Sequence, residues 1–316
     1  MKLSLLVQVY NGGTYWQECW RSILECQDLF DQIFVSISKS PSMEKDIALI
    51  QNCRLEKLHW VCQNESLTAR DHGKRLDQFV ASFQPEGHIF VLCHDDILLR
   101  EGVLQIKQRD LQEDETLFGP FHFFSQDQGS REMIVHEFHR QDGMPVDKEF
   151  FILMQDTLQL TYNISGLVMP SRLLSRPCSW HLLRYGCFSE TCHLVHPMVN
   201  RIIQNQVPAV KIRWHASSEG ANMKVDDLTH DSLLYHLQAF PQCREYHTKL
   251  HMARSILYLI RINPLRGAYN FIRQHFLLAK LDYCYPKLFL LHIYVLLVLF
   301  QKGSNFAKRL IKRCWK

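Results

Sequence analysis

The first hundred residues alternate between two kinds of hydrophobic pattern. Short apolar runs of strand length are separated by stretches in which apolar residues recur every three or four positions, as in an amphipathic helix. The predicted strands are 3–9, 33–37, 58–61 and 88–92, and the predicted helices between them begin near Thr14, Ser40 and Leu67. This alternation predicts right-handed βαβ units, and therefore an α/β fold with a mostly parallel sheet flanked by helices.

The pattern beyond residue 100 is less regular. It predicts a helix from Glu101 to about Leu111 and three further strands, at 116–124, 164–169 and 207–214, with the last closing the sheet. From Thr229 onward the spacing is helical and is interrupted only by prolines. We therefore expect two domains, an α/β domain over residues 1–225 and a helical C-terminal extension over residues 226–316.

Positive charge is concentrated at the C-terminus. Of a net charge of +4, seven Lys and Arg and no acid fall between Tyr283 and Lys316, which leaves −3 on the rest of the chain. The same stretch contains an apolar run of 13 residues, 288–300, and a membrane-spanning helix needs about 20. This combination favours a helix lying on an anionic membrane surface, with a buried hairpin as the alternative. Nucleic acid is not an expected partner, because the charges accompany no aromatic stacking platform.

The cysteines indicate the compartment. The chain has eleven, and none forms a C-x-x-C pair of the kind that binds zinc or exchanges disulfides. Unpaired thiols are typical of a reducing cytosol. We therefore expect a cytoplasmic protein that sits peripherally at the inner face of the cell membrane.

Two adjacent carboxylates follow the apolar run 88–92 directly, in the sequence Cys93-His94-Asp95-Asp96. The carboxyl ends of parallel strands are where open α/β sheets bind their ligands. Neighbouring carboxylates repel each other unless a proton or a cation relieves them, and Mg²⁺ shared with a diphosphate does so. The alternative is that Asp95 or Asp96 caps a helix beginning near Glu101.

Several segments of residues 1–220, in their order and spacing, resemble the family 2 glycosyltransferases. The matching segments are Leu5 to Gly12, Tyr15 with Cys19, Ser22 and Ile23, Asn64 with Ala69, Arg70 and Gly73, Leu92 to Leu98, Ser165-Gly166, and Trp214-His215 with Ser217-Ser218. The resemblance implies a GT-A type fold that binds a nucleotide-sugar donor. It also implies inverting transfer of the sugar to a glycan or lipid-linked acceptor, in bacterial polysaccharide or lipopolysaccharide assembly.

The resemblance also implies roles for individual residues. The positions implied to bind the nucleotide sugar are Val9, Tyr10, Asn11, Ser38, Arg70, Gly73, His94 and Asp95. Asp95, Asp96 and His215 are implied to hold a divalent metal, Mg²⁺ or Mn²⁺. Glu190 is implied to be the catalytic base, with His193 as the alternative. Arg70 has a second interpretation as a surface charge, and His215 as a hydrogen-bonded histidine at a strand end.

Three positions depart from the pattern of the family. The segment 36–40 lacks the acid that the family uses to read a uracil base, so the resemblance does not fix the nucleotide. Cys93 replaces the first acid of the metal motif, and Ser189-Glu190-Thr191 replaces a Glu-Asp pair. These departures motivate a second hypothesis, in which the chain is a catalytically impaired relative that binds or scaffolds at the membrane.

Overall fold

The computed structural model describes residues 1–125, 133–135, 145–147, 164–174 and 198–215. For residues 69–70, 133–135, 145–147 and 214 it describes the backbone alone. The chain divides into two units, Met1–Ala239 and Phe240–Lys316, and every described residue belongs to the first. The predicted domain boundary after residue 225 lies outside the described residues and stays a prediction.

Twelve strands and four α-helices make up the described residues. The strands are β1 (Leu3–Val9), β2 (Ile33–Ser38), β3 (Leu58–Gln63), β4 (His88–Cys93), β5 (Ile97–Leu98), β6 (Glu115–Phe118), β7 (Phe121–Ser125), β8 (Met133–Val135), β9 (Pro145–Asp147), β10 (Val168–Pro170), β11 (Arg201–Gln204) and β12 (Val210–Trp214). The helices are α1 (Gly13–Cys26), α2 (Met43–Gln51), α3 (Ala69–Ala81) and α4 (Arg100–Gln108). Short 3₁₀ helices span Gln27–Leu29 and Ser171–Leu173.

The strands form two sheets. The main sheet has eight strands in the order β3-β2-β1-β4-β10-β6-β11-β9, and the second has four in the order β5-β12-β7-β8. In the main sheet β10 and β9 run antiparallel to their neighbours, and the other six strands share one direction. The predicted fold class, a mostly parallel sheet flanked by helices, is confirmed.

Alternation along the central strands explains why helices cover both faces of the sheet. In β1 the side chains of Leu3, Leu5, Val7 and Val9 pack with α1, α2 and α4. Leu6 points to the opposite face, where it packs with α3 and with the 3₁₀ helix Ser171–Leu173. Strands buried on both faces read as nearly continuous apolar runs, which is why β1, β2 and β4 were recognisable from sequence.

The structure differs from the sequence prediction in the second half of the domain. The predicted strand 116–124 is two strands, β6 and β7, which leave Gly119 and Pro120 between them and enter different sheets. The predicted closing strand 207–214 is β12, which lies in the second sheet, whereas β11 occupies the main sheet. Proline cannot donate a ladder hydrogen bond, so Pro120 ends the pairing of β6.

No α-helix within the described residues has the length and apolar character needed to span a bilayer.

Candidate functional site

The strand order of the main sheet changes direction between β1 and β4. The chain adds β2 and β3 on one side of β1 and then returns to add β4 on the other side. Open α/β sheets bind their ligands at the carboxyl edge beside such a change in strand order. Tyr10 follows β1 at this edge and is 47% exposed, the largest exposure among the described large apolar side chains.

A tight turn after β4 brings the acidic residues together. The Asp96 amide donates to the Cys93 carbonyl at 3.2 Å, so residues 93–96 form a single β-turn. As a result, ligand atoms of Cys93, Asp95 and Asp96 lie within 4.8 Å of one another. The helix-capping alternative is excluded, because α4 begins at Arg100 and its N-cap, Leu99, makes no side-chain capping bond.

Asp96 is buried and bonded on both carboxylate oxygens. Ser165 Oγ donates to Oδ2 at 2.5 Å, and the Arg213 amide donates to Oδ1 at 2.8 Å. Burial first, and then the neighbouring charge of Asp95, raise the pKa of Asp96 from 3.8 to about 8. An acid in this position keeps its proton up to nearly neutral pH unless a positive charge approaches it. The predicted role of Asp96 as a metal ligand stays a prediction.

Asp95 is in direct contact with His215. The Oδ2 atom of Asp95 lies 3.0 Å from Nε2 of His215, and the two side chains are 16% and 9% exposed. The two residues are 120 positions apart and meet because β12 ends beside the turn after β4. The His215 ring also packs on Tyr15 of α1, with ring centroids 4.6 Å apart. The structure thus brings together two of the three predicted metal-binding residues in direct contact.

Arg213 fixes the turn from β12. Its buried side chain donates from Nε to the Asp95 carbonyl at 3.0 Å and forms an ion pair with Glu18. The guanidinium lies 4.7 Å from the ring centroids of both Tyr15 and Phe124. One of its nitrogens, Nη1, is buried and has no hydrogen-bond partner. The guanidinium therefore places a fixed positive charge beside the two acids.

The turn after β1 is held by a buried acid from α2. Asp46 accepts hydrogen bonds from the amides of Gly12 and Gly13, at 3.1 and 3.0 Å, and from Ser42 Oγ at 2.6 Å. A carboxylate at this position satisfies orphan amides at the start of α1 and complements the helix dipole. Asn11 adopts a positive φ of 51° in the same turn, as the Asn-Gly pair predicts.

The predicted nucleotide-binding residues are placed on three of the strand ends. Val9 and Ser38 are fully buried, and Gly73 is buried in α3. His94 lies in the turn after β4; burial lowers its pKa, while the charges of Asp95 and Asp46 act in the opposite direction. Their roles stay predictions.

Three predicted residues fall outside what the structure describes. The backbone of Arg70 lies in the first turn of α3, but its side chain is not among the described ones. Glu190 and His193 lie in a segment outside the described residues, as does the basic C-terminus. The assignment of a catalytic base and of a membrane-binding tail therefore stays a prediction.

Four residues of the site were not predicted from the sequence. These are Glu18, Asp46, His72 and Arg213, which reach the site through contacts between distant segments. For Arg213 a signal was present, since Arg213-Trp214-His215 reproduces the Arg-x-His spacing of the resemblance. The other three carry no local pattern that separates them from ordinary helix residues.

The donor set fits a divalent cation. Asp95 offers a carboxylate, His215 an imidazole and Cys93 a thiol, and all three are ligands that proteins use for divalent metals. Cys93 and Asp95 are half-buried, and the His215 side chain is 9% exposed. Asp95 and His215 would hold the cation, and Cys93 lies with Asp95 and Asp96 in the turn.

The fold is similar to those of solved nucleotide-sugar-binding proteins. S. aureus TarS in complex with UDP-GlcNAc superposes with a TM-score of 0.58 at 13% identity, covering 84% of this chain and 75% of that one. The mannosyltransferase PcManGT from Pyrobaculum calidifontis, in complex with GDP-Man and Mn²⁺, gives a TM-score of 0.51 at 12% identity, covering 88% and 80%. No protein-family model matches the sequence, and no curated protein sequence matches it significantly. At these identities the likeness establishes the fold alone.

Proposed function

We propose that the chain is a glycosyltransferase that moves a sugar from a nucleoside-diphosphate donor to a glycan or lipid-linked acceptor, with inversion and with the help of a divalent cation. The observation that carries the proposal is the pairing of Asp95 with His215, 3.0 Å apart, at the carboxyl edge of the sheet beside β1 and β4. The fold is one in which solved structures hold UDP-GlcNAc and GDP-Man.

The chemistry follows from charge. In an inverting transfer the acceptor hydroxyl attacks one face of the anomeric carbon while the nucleoside diphosphate leaves from the other. When bound, the divalent cation acts as a Lewis acid that neutralises charge on the departing diphosphate. Asp95 and His215 position that cation, and Arg213 holds Asp95 in place through its backbone carbonyl. Fixed charges of this kind supply much of the stabilisation of a transition state.

The remaining roles lie outside the described residues. Glu190 takes the proton of the acceptor hydroxyl, with His193 as the alternative base. A general base contributes roughly 10²–10⁴-fold to the rate. Glu190→Gln is therefore expected to lower turnover by about 100-fold or more while leaving donor binding intact. A matched loss in His193→Asn, with full activity in Glu190→Gln, would reassign the base.

The setting of the reaction is also a proposal. The seven basic residues of 283–316 and the apolar run 288–300 support binding to the inner face of the cell membrane. Residence on a bilayer raises the effective concentration of a lipid-linked acceptor. Deletion of residues 283–316 is expected to release the protein from anionic vesicles, and continued binding would refute the membrane-binding tail.

The central test is nucleotide-dependent protection and turnover. UDP, GDP and other nucleoside diphosphates are each added with a divalent cation while thermal unfolding is followed; a ligand at 100 times its Kd adds about 2.7 kcal/mol of stability. Hydrolysis of the matching nucleotide sugar is then measured. Asp95→Asn is expected to lower both protection and turnover, the latter by about 100-fold or more. Asp110→Asn, at an exposed acid distant from the turn in sequence, is the matched control.

Two outcomes would refute the proposal. One is that no nucleoside diphosphate protects the wild-type chain with any divalent cation. The other is that Asp95→Asn turns over the donor at the wild-type rate. The stereochemistry is checked separately by proton NMR of the first product, and retention of the anomeric configuration would exclude inversion.

A second candidate function is a binding or scaffold protein that keeps the fold without the chemistry. It is favoured by Cys93 in the metal motif and by Ser38 at the end of β2, where the family carries acids. This candidate predicts protection by a nucleotide or nucleotide sugar with no hydrolysis and no transfer to any acceptor.

A further inference from the structure

We propose that Cys93 makes the cation site selective for thiophilic divalent cations, so that Zn²⁺ and Co²⁺ bind ahead of Mn²⁺ and Mg²⁺ binds last. The inference deepens the proposed function, because it rests on the same cation site and names the ion that the site prefers. It departs from the expectation of Mg²⁺ or Mn²⁺ that the resemblance implies.

The turn after β4 presents the thiol to the site. Ligand atoms of Cys93, Asp95 and Asp96 lie within 4.8 Å of one another, and Asp95 Oδ2 lies 3.0 Å from Nε2 of His215. Ser165 Oγ accepts a hydrogen bond from the Cys93 amide at 2.9 Å, and the Cys93 carbonyl accepts one from the Asp96 amide. The backbone of Cys93 is therefore held at both its N–H and its C=O group. These two hydrogen bonds fix the backbone of Cys93 in the turn, with the thiol close to both acids.

Few oxygen ligands remain for a hard cation. Both oxygens of Asp96 already accept hydrogen bonds, from Ser165 and from the Arg213 amide, and the side chain is buried. Mg²⁺ demands nearly octahedral oxygen coordination at about 2.0–2.1 Å and is reluctant to lose water. Asp95 is therefore the carboxylate of this turn that remains for a cation, next to the Cys93 thiol, and that pair is a poor match for Mg²⁺.

The same donors suit a softer cation. Zn²⁺ is bound in proteins by Cys, His and Asp side chains. Thiolate ligands select against Mg²⁺ and Mn²⁺ more strongly than carboxylates do.

A separate observation indicates that the site binds something charged. Arg213 is fully buried beside Asp95, and its Nη1 has no hydrogen-bond partner. Buried charged donors without partners are rare in folded proteins. Because Glu18 already balances the charge of Arg213, the charge that the site still requires is a cation beside Asp95.

The test is direct metal binding by the full-length chain without nucleotide. Co²⁺ is titrated while the thiolate-to-cobalt charge-transfer absorption is recorded, and Zn²⁺, Mn²⁺ and Mg²⁺ then compete for the bound ion. We expect the absorption in wild type and in Cys53→Ser, which alters another half-buried thiol. We expect its loss in Cys93→Ser, with Zn²⁺ affinity lowered by about 100-fold or more, since even residues that only orient a ligand change affinity roughly 10–100-fold.

A second variant keeps the inference testable if Cys93→Ser does not fold. Cys93→Asp restores the acid of the family motif and is expected to lose the cobalt absorption while gaining Mg²⁺ affinity relative to Zn²⁺. The inference is overturned if the absorption is the same in wild type and in either Cys93 variant. It is also overturned if Mg²⁺ displaces Co²⁺ from wild type as readily as Zn²⁺ does.

Nucleotide protection separates this inference from the proposed function. If the cobalt absorption depends on Cys93 but no nucleoside diphosphate protects the chain with any cation, the metal preference is supported and the proposed transferase function is refuted. If a nucleoside diphosphate protects the chain equally with Mg²⁺ and with Zn²⁺, and substitution of Cys93 does not change this, the transferase proposal is supported and the metal preference is refuted.

Discussion

A buried histidine next to the site makes the stability of the fold depend on pH. His72 of α3 is 1% exposed, and its Nε2 lies 2.8 Å from Ser36 Oγ on β2. Burial first, and then the nearby charges of His94 and Arg75, lower the pKa of His72 from 6.5 to about 4. A hydrogen bond to the backbone of Ser36 opposes this shift in pKa but does not outweigh it.

The sign and the size of this effect on the free energy of unfolding follow from proton linkage. Below pH 6.5 the unfolded chain takes up a proton on His72, whereas the folded chain does so only near pH 4. The folded state therefore loses stability as the pH falls through this window, by about 2 kcal/mol at pH 5 and about 3 kcal/mol in all, at 1.36 kcal/mol per pKa unit. Above pH 7 His72 is neutral in both states, and its ionisation contributes nothing.

Urea unfolding of wild type and His72→Gln at about pH 7.5 and pH 5 measures the effect. Glutamine does not titrate, so the free energy of unfolding of the variant is expected to fall by about 2 kcal/mol less than that of wild type between the two pH values. His122→Gln, at a half-buried histidine of β7, is the control and is expected to behave as wild type. Equal pH dependence in His72→Gln and wild type would show that His72 is not held neutral by burial.

Three further substitutions test the packing and the hydrogen bonds that shape the site. A Cβ at Gly102 of α4 would lie 2.2 Å from the Pro208 carbonyl oxygen, so Gly102→Ala is expected to cost about 1–3 kcal/mol in urea unfolding; no loss would show that this contact relaxes. Asp46→Ala leaves two amides at the start of α1 without their acceptor and is expected to lower the free energy of unfolding by about 2–4 kcal/mol. The measure is the melting temperature, and an unchanged melting temperature would refute the capping role. Ser165→Ala removes the acceptor of the Cys93 amide and a donor to the turn after β4 and is expected to cost about 1–3 kcal/mol; unchanged stability in calorimetry would contradict this.

The first half of the fold was predictable because its signals are local. β1, β2 and β4 are buried on both faces and read as apolar runs, and the helices between them carry the expected spacing. The strands after residue 110 are short, and their partners come from distant parts of the chain, as in the pairing of β11 with β6. No local pattern shows that the chain changes sheets between Phe118 and Phe121, because the choice of sheet depends on partners up to about 90 residues away.

The site divides in the same way. Asp95, Asp96 and Cys93 were predictable because one β-turn brings neighbouring residues together, and residue identity is enough to show their chemistry. What the turn can bind is set instead by residues 69 to 120 positions away. Ser165 and the Arg213 amide occupy both oxygens of Asp96, which leaves Asp95 to face His215. Two adjacent acids of one type therefore have different tasks: one is fixed in the interior, and the other is open to a ligand. These two roles are set by the distant hydrogen-bond partners. The same four-residue sequence at the edge of another sheet would therefore not have the same division of roles.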